Sequence, residues 1–408
     1  MSLFNLKLSE VKNNSAITIT GSKSESNRLL LLQALYPQIN IKNISNSDDS
    51  KVMQKALISE ENIIDIHHAG TAMRFLTAFF ATQEGRTVTL TGSQRMKERP
   101  IKILVDALNQ LGAKITFTET KDCPPLQITG QKITKNEVAL KANVSSQYIS
   151  ALLLMASKLD KGLVLTLEGK ITSVPYINMT LDLLNQIGVK TAFVEQTITV
   201  FPVKETLKAH TLTVESDWSS ASYFYSIIAL SAMGTTIQLS AYKQQSLQGD
   251  SVLATIYKEF GVTTTFGANT ITLTKTSENL THKVFNLADA PDIAQTIAVT
   301  CLGLGISCEL SGLHTLKIKE TDRLVALKTE LEKFGATVHL THQSLELINI
   351  SINHSKPAVS TYNDHRMAMA FAPLALKTPL QIEDAMVVSK SYPTFWDDLK
   401  NIGFQINE

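Results

Sequence analysis

The sequence has few cysteines, no long apolar run and no export-like start, and each absence excludes a class of protein. Three cysteines (Cys123, Cys301 and Cys308) occur in 408 residues, without a CxxC pair or clustered histidines, which disfavours both a disulfide scaffold and a zinc site. No apolar run reaches the roughly 18 residues that a membrane helix needs. The N-terminal residues also lack a basic start followed by an apolar core. We therefore expect a cytoplasmic protein with no metal and no membrane partner.

Net charge is also nearly absent. Lys and Arg total 38 against 37 for Asp and Glu, which leaves +1 and argues against nucleic acid as a partner. Hydrophobic residues make up 44% of the chain, enough for sizeable cores, and the length predicts two or three domains. A balanced total can still contain a concentrated basic cleft.

An internal repeat organises the chain. Five segments share an amphipathic helix, a glycine and then a strand. Ile101, Leu104, Leu108 and Leu111, for example, fall on one helical face. A glycine just after the last apolar residue is the usual left-handed helix end. These glycines recur at intervals of 68 to 76 residues, at Gly112, Gly188, Gly261, Gly335 and Gly403.

Second helices between the copies complete a mixed α/β module of about 70 residues. The first copy is degenerate and is represented by Asp48–Ser59. Six modules predict two domains of three; the alternative is that these are generic α/β elements. The sequence alone places a domain boundary between Thr199 and Asp217. The second helices are predicted at Gly70–Ala81, Ser145–Lys158, Ser219–Ala232 and Asp292–Leu304.

Cationic residues concentrate in the loops that lead into the helices. Any one of them could be a solvated surface charge, but eight at equivalent places predict a cleft for a ligand with several negative groups, because helix N-termini and arginines both bind anions. They are Lys23, Arg28, Arg74, Arg99, Lys319, Arg323, Arg366 and Lys390.

Polar residues beside these cations have two interpretations each. Ser145, Ser146 and Gln147 begin an apolar helix, where they are either caps or phosphate ligands. Asp292 is a helix cap or a base, and Glu320 either pairs along a helix turn or acts as a base. The GSKS segment lacks the spacing of a nucleotide P-loop, which disfavours an ATP site. His365 could carry a proton near neutrality or be structural.

A set of motifs follows in order along almost the whole chain: GSKSESNR, AGTAMR, RMKERPI, VSSQ, PYI, SDWSSASYF, QGD, PDIAQTIA, KIKETDRL, YNDHRMAMAF and SKSYPTFW. From about Ile17 to Trp396 this ordered set resembles that of the 5-enolpyruvylshikimate-3-phosphate (EPSP) synthase family. The resemblance implies an α/β fold with two domains, each of three βαβαββ units, and an active site in the interdomain cleft. It places residues 1–20 with 217–408 in one domain and 21–216 in the other.

The resemblance also implies an activity, the transfer of the enolpyruvyl group of phosphoenolpyruvate to the 5-hydroxyl of shikimate 3-phosphate with release of phosphate, on the route to aromatic amino acids. It implies two small-molecule substrates and no cofactor. The residues expected to meet shikimate 3-phosphate are Lys23, Ser24, Arg28, Ser145, Ser146, Ser173, Tyr176, Asp292 and Lys319. Those expected to meet phosphoenolpyruvate are Lys23, Gly70, Arg99, Gln147, Arg323, Arg366 and Lys390.

The implied chemistry is addition followed by elimination. Asp292 would take the 5-hydroxyl proton, and Glu320 would donate a proton to C3 and later recover it. Lys23 and Lys390 would assist proton transfer and phosphate departure, and His365 is a further catalytic candidate beside Arg366.

Two positions depart from the family pattern. Thr315 stands where the family often has a substrate-contacting asparagine, and Phe75 stands where it usually has proline. Gly70 lacks the methyl group that would crowd glyphosate, the herbicide that competes with phosphoenolpyruvate in the family, so we expect the protein to be sensitive to it.

Two alternatives remain at this stage. A UDP-N-acetylglucosamine enolpyruvyl transferase would share the fold but use a reactive loop cysteine, whereas Cys123 lies in the different context KDCPPL. A non-catalytic anion-binding relative is the other. The balanced charge is compatible with a monomer, which we expect.

Overall fold

The computed structural model describes residues 2–141, 145–169, 171, 174–351 and 355–408. The chain divides into two compact units: unit 1 comprises Met1–Gly21 with Glu215–Glu408, and unit 2 comprises Ser22–Val214. In the described ranges, every helix is too short or too polar to cross a membrane.

The strands are short and numerous. They are β1 (Leu3–Leu6), β2 (Ser15–Ile17), β3 (Ile39–Lys42), β4 (Ile63–Asp65), β5 (Thr87–Thr91), β6 (Lys114–Phe117), β7 (Leu126–Thr129), β8 (Glu137–Lys141), β9 (Leu163–Glu168), β10 (Thr191–Val194), β11 (Thr197–Val200), β12 (His210–Thr213), β13 (Thr236–Ser240), β14 (Val262–Phe266), β15 (Thr270–Lys275), β16 (Lys283–Asn286), β17 (Cys308–Ser311), β18 (Thr337–Leu340), β19 (Leu345–Ile348), β20 (Ala358–Val359), β21 (Leu380–Glu383) and β22 (Ile406–Asn407).

The helices alternate with these strands. They are α1 (Lys23–Leu35), α2 (Asp48–Ile58), α3 (Gly70–Ala81), α4 (Gln94–Lys97), α5 (Lys102–Leu111), α6 (Ser146–Ala156), α7 (Val174–Gln186), α8 (Trp218–Leu230), α9 (Leu253–Ile256), α10 (Ala294–Leu304), α11 (Arg323–Lys333), α12 (His365–Phe371) and α13 (Phe395–Asn401). Short 3₁₀ helices lie at Gly249–Val252, Tyr257–Phe260, Pro291–Ile293, His314–Ile318, Ala372–Leu376 and Ala385–Lys390.

Each repeat builds one sheet. In the module from β4 to β7, β4 runs parallel to β5 across α3, and β5 then pairs antiparallel with β7, which pairs with β6. The β8–β11 and β16–β19 modules follow the same βαβαββ order. The described residues form six sheets, three in each unit. The predicted α/β fold of βαβαββ units is confirmed.

The N-terminal strands belong to unit 1. β1 pairs antiparallel with β21 and β22, and β2 runs parallel to β13. The degenerate first module contributes α1, α2 and a two-stranded sheet of β3 and β12. Two chain crossings between the units follow from this pairing.

The repeat glycines end their helices as predicted, since all five have positive φ. Two helix predictions need correction. The segment before Gly261 is not one helix but two 3₁₀ turns around the four-residue α9. Asp292 lies in a 3₁₀ turn that begins with Pro291, and the α-helix itself begins at Ala294.

The helices inside the cores are apolar on all sides. Every residue of α3 and α8 is buried, and all but the last residue of α10 is buried, as expected for helices with no polar face. Gly70, Ser146 and Ser219 lie in the first turns of α3, α6 and α8.

Candidate active site

Lys23 and Ser24 begin α1 in unit 2. The Nζ of Lys23 lies 3.2 Å from Oδ2 of Asp49, a residue of the first turn of α2. Because the exposed N–H groups of a helix start attract negative charge, the two residues sit where an anion would be stabilised.

Two arginines lie against the first residue of α3. A methyl group built on Gly70 would come within 2.9 Å of Nη1 of Arg99 and 3.1 Å of Nη1 of Arg74. Arg74 also donates a 2.9 Å hydrogen bond to the carbonyl of Gly70. The structure therefore brings together Gly70 and Arg99, both predicted to meet phosphoenolpyruvate.

The start of α6 contacts the start of α3. Ser145 is the N-cap of α6, and its hydroxyl accepts a 3.4 Å hydrogen bond from the backbone N–H of Gln147. The Nε2 of Gln147 donates to the hydroxyl of Thr71 at 3.1 Å. Ser146 is the first helical residue and is buried. The capping interpretation of Ser145 is confirmed, and Gln147 contacts Thr71.

The prediction that Arg28 lies at a loop–helix junction is wrong. Since α1 begins at Lys23, Arg28 lies in its second turn and faces the interior, where it donates to the hydroxyls of Thr180 (2.8 Å) and Ser150 (2.9 Å). Its guanidinium carbon is 5.5 Å from the ring centre of Phe75 and 5.9 Å from that of Tyr176. Burial lowers the pKa of Arg28 to about 10. Phe75, which departs from the family pattern, therefore packs against Arg28.

In unit 1, three predicted cations converge on Asp292. Its Oδ1 accepts a 2.9 Å hydrogen bond from Nη1 of Arg323 and lies 3.5 Å from Nζ of Lys319. Its Oδ2 accepts a 3.1 Å hydrogen bond from Nη2 of Arg366. Residues up to 74 positions apart in sequence therefore surround one carboxylate.

The field of these cations decides the charge of Asp292. Burial alone would raise its pKa, but the attraction of Arg366, Lys319 and Arg323 outweighs burial and holds the pKa far below its ordinary value. Lys319 responds in the other direction: Asp292 favours its charged form, but burial and the two arginines together lower its pKa. Asp292 is therefore ionised at any working pH.

Arg323 connects this carboxylate to two others. Its side chain is 2% exposed, and it donates to Asp364 through Nε at 2.6 Å and to Glu320 through Nη2 at 2.7 Å. The ion-pair interpretation of Glu320 is confirmed. Asp322 caps α11 immediately before Arg323, accepting from two backbone N–H groups.

Lys390 and His365 both lie near the residues that precede α12, Asn363 and Asp364. Lys390 ends a 3₁₀ helix that starts at Ala385, rather than lying in a loop before a helix, and its Nζ donates to Asn363. His365 is the first residue of α12 and is buried, with Nδ1 3.8 Å from Oδ1 of Asp364.

A family model described as EPSP synthase (3-phosphoshikimate 1-carboxyvinyltransferase) matches residues 54–399. A relative in Bacteroides fragilis named 3-phosphoshikimate 1-carboxyvinyltransferase is 45% identical over 398 residues, which cover 96% of this chain and 95% of the relative. A relative of the same name in Colwellia psychrerythraea is 35% identical over 424 aligned residues, covering 96% of this chain and 97% of the relative.

The chain belongs to the EPSP synthase family.

Solved structures agree on the fold. The EPSP synthase of Acinetobacter baumannii superimposes with a TM-score of 0.78 at 20% identity, covering all of both chains. The enolpyruvyl transferase NikO of Streptomyces tendae has a TM-score of 0.75 at 15% identity, covering 99% of this chain and 98% of that one. At such identities the likeness concerns the fold alone.

Two polar residues of this EPSP synthase family member, Ser219 and Asp250, lie in the recognised motifs but had no predicted role. The hydroxyl of Ser219 accepts a 3.2 Å hydrogen bond from Arg366 and donates to Asp250. Burial first, and then the nearby charge of Asp292, raise the pKa of Asp250 to about 7. The SDWSS and QGD motifs could have indicated these two residues, but neither motif shows that they touch.

The remaining predicted positions are accounted for as follows. Ser173 lies outside the described residues. Thr315 lies in the 3₁₀ helix His314–Ile318, and its buried hydroxyl has no hydrogen-bond partner among the described residues. The part of the chain that the structure describes contains no group of three or more His, Cys, Asp or Glu side chains that could hold a metal ion.

Proposed function

We propose that this protein transfers the enolpyruvyl group of phosphoenolpyruvate to the 5-hydroxyl of shikimate 3-phosphate and releases phosphate. The observation that carries the proposal is the carboxylate of Asp292 in contact with Lys319, Arg323 and Arg366, in a chain of the EPSP synthase family. The two substrates bring two phosphates and two carboxylates, which require such a concentration of cations.

The site is proposed to draw on both units, with residues 1–20 and 217–408 in one domain and 21–216 in the other. We assign the enzyme to the cytoplasm as a monomer. The shikimate 3-phosphate ligands are Lys23, Ser24, Arg28, Ser145, Ser146, Ser173, Tyr176, Asp292 and Lys319. The phosphoenolpyruvate ligands are Lys23, Gly70, Arg99, Gln147, Arg323, Arg366 and Lys390.

In the proposed addition step, Asp292 removes the 5-hydroxyl proton as that oxygen bonds to C2 of phosphoenolpyruvate, while Glu320 donates a proton to C3. In the elimination step, Glu320 recovers a proton from C3, the C2–O bond to phosphate breaks, and the departing phosphate takes up the proton held by Asp292. Lys390 and Lys23 stabilise the departing phosphate, and His365 supports proton transfer beside Arg366.

The low pKa of Asp292 makes it a weak base before substrates arrive. Anionic substrates that bind Arg323, Arg366 and Lys319 oppose the field of those cations at the carboxylate. The pKa of Asp292 then rises because less positive charge acts on it. The base therefore becomes stronger when both substrates are bound.

The rival UDP-N-acetylglucosamine activity requires a reactive cysteine. Cys123 is buried, and burial followed by the charges of Asp122 and Glu98 raises its pKa. A thiol with a raised pKa is a poor nucleophile at neutral pH, so Cys123 lacks the reactivity that the rival activity requires.

Phosphate release tests the proposal. The purified protein is mixed with phosphoenolpyruvate and shikimate 3-phosphate in chelator, and we expect release that requires both. Release with UDP-N-acetylglucosamine instead would move the protein to the rival activity. Silence with both acceptors, together with binding of both ligands, would favour a non-catalytic anion-binding relative.

A further inference from the structure

Asn363 contacts Lys390 through two oxygens. Its Nζ donates to the backbone carbonyl and to the side-chain Oδ1 of Asn363, both at 2.6 Å, and the side chain is largely buried. Asn363 contributes no charge, so this contact is a pair of hydrogen bonds that orients the ammonium and is not itself an ion pair.

An unusual turn allows Asn363 to present both oxygens. The N–H of Asp364 donates to the carbonyl of Thr361 at 2.8 Å, and the two central residues, Tyr362 and Asn363, have φ of 54° and 57°. Asparagine adopts this left-handed conformation readily, whereas tyrosine does so rarely. A conformation that tyrosine disfavours persists only where surrounding contacts enforce it.

Helix α11 supplies those contacts. Glu330 is buried, and its carboxylate accepts from the hydroxyl of Tyr362 at 2.6 Å and from the N–H of Ser360 at 3.1 Å. On the other side of the turn, Asp364 accepts from Arg323 at 2.6 Å. The turn is therefore fixed from both ends by the helix that carries Arg323.

We propose that Asn363 is a positioning residue for Lys390, and that the turn braced by Glu330 determines where the Lys390 charge meets the phosphate of phosphoenolpyruvate. Both contacts come from one residue of the turn, so the position of the turn sets the position of the ammonium group. The inference rests on the proposed function, because Lys390 acts there on the departing phosphate.

The test removes the amide without disturbing the turn. Asn363→Gly retains a left-handed backbone, because glycine adopts positive φ freely. We expect kcat/KM for phosphoenolpyruvate to fall about ten- to a hundredfold, the effect of one hydrogen bond to a charged group, in a protein that remains folded. Asn269→Gly is the matched control, an asparagine of φ 59° in the turn between β14 and β15, and it should keep full activity.

A second measurement does not depend on turnover. Competitive acetylation of Lys390 by acetic anhydride, without substrates and read by mass spectrometry, gives its reactivity as a function of pH. Asn363→Gly should shift the midpoint of that curve to lower pH and Asn363→Asp to higher pH, since one removes an acceptor from the charged ammonium and the other adds a negative charge.

The outcomes separate the two claims. Wild-type turnover with no effect of Asn363→Gly on kcat/KM would overturn the positioning role alone. Acetylation curves that coincide in all three proteins would do the same. Shifted acetylation curves without any wild-type turnover would show the contact but overturn both the proposed function and the role of Asn363 in it.

Discussion

At the residue scale, the proposed chemistry depends most on Asp292, the base that removes the 5-hydroxyl proton. Asn at this position keeps the shape but cannot accept a proton, so we expect Asp292→Asn to bind both substrates and lose at least roughly a hundredfold in kcat. Steady-state kinetics checks this, with the exposed Glu309 of β17 changed to Gln as the control. Near-normal turnover of Asp292→Asn would remove Asp292 from the mechanism.

Gly70 makes a steric prediction. In Gly70→Ala the added methyl would lie 2.9 Å from Nη1 of Arg99, so the guanidinium must move and KM for phosphoenolpyruvate should rise roughly tenfold. The glyphosate inhibition constant should rise as well. Gly267→Ala is the control. Its added methyl would also crowd the end of a side chain, the hydroxyl of Thr270 at 2.7 Å, but outside the proposed site. An inhibition constant that Gly70→Ala leaves unchanged would contradict the steric explanation.

Asp250 gives the protein a pH-dependent stability. Its pKa is raised to about 7 in the folded state, against roughly 3.9 in an unfolded chain. Its stabilising contribution is therefore complete below about pH 4 and is lost as the pH rises through 7. We expect Asp250→Asn to gain stability relative to the wild type between pH 5 and pH 8, by a few kcal/mol at about 1.4 kcal/mol per pKa unit.

Urea unfolding of both proteins at several pH values measures that difference. The two free energies of unfolding should diverge with increasing pH. Parallel curves would mean that Asp250 titrates at its ordinary pKa.

The sequence predicted the cations of the site better than their partners. Lys319, Arg323 and Arg366 could be found because they recur at equivalent places in a nearly neutral chain. The contacts of Ser219 with Asp250 and of Lys390 with Asn363 span 31 and 27 positions, and no local pattern specifies such distances. The prediction for Arg28 was wrong because it assumed that the loop extends to Arg28. Since α1 begins at Lys23, Arg28 lies within the helix and faces the interior.

At the element scale, the N-cap of α11 positions Arg323. Asp322 accepts from the N–H groups of Leu324 and Val325 at 3.1 and 3.2 Å. We expect Asp322→Ala to lower the free energy of unfolding by about 1 kcal/mol and to reduce kcat/KM, because Arg323 is the first residue of the loosened turn. Denaturant unfolding and kinetics measure both effects.

Asp322→Asn is the matched control for that cap, since asparagine caps helices as well as aspartate does. It should retain both stability and activity. Equal losses in the Asn and Ala variants would assign the effect to charge rather than to capping.

Helix ends were predicted better than helix starts. The glycines after α5, α7, α11 and α13 could be located because a left-handed residue must follow the last turn. The segment before Gly261 consists of short turns rather than the predicted single helix. The prediction failed there because an apolar periodicity alone does not distinguish an α-helix from consecutive 3₁₀ turns. Helix α10 begins at Ala294 rather than at the predicted Asp292, because Pro291 begins a separate 3₁₀ turn.

At the scale of the whole molecule, the repeat predicted most of the architecture. The regular glycine spacing indicated six modules, and the described residues contain six sheets, three per unit. What spacing could not show is that β1 and β2, at the start of the chain, pair with strands of unit 1. Pairing between segments that are distant in sequence depends on tertiary contacts that leave no local signal.

The most direct test of the central claim is the structure of the product. Phosphoenolpyruvate labelled with ¹³C at C2 is incubated with shikimate 3-phosphate and the protein, and the ¹³C spectrum is recorded. The account predicts that the label appears in an enol ether on the 5-oxygen of shikimate 3-phosphate, with one phosphate released for each ether formed. Phosphate released with the label in free pyruvate would contradict it, because the protein would then be hydrolysing phosphoenolpyruvate rather than transferring its enolpyruvyl group.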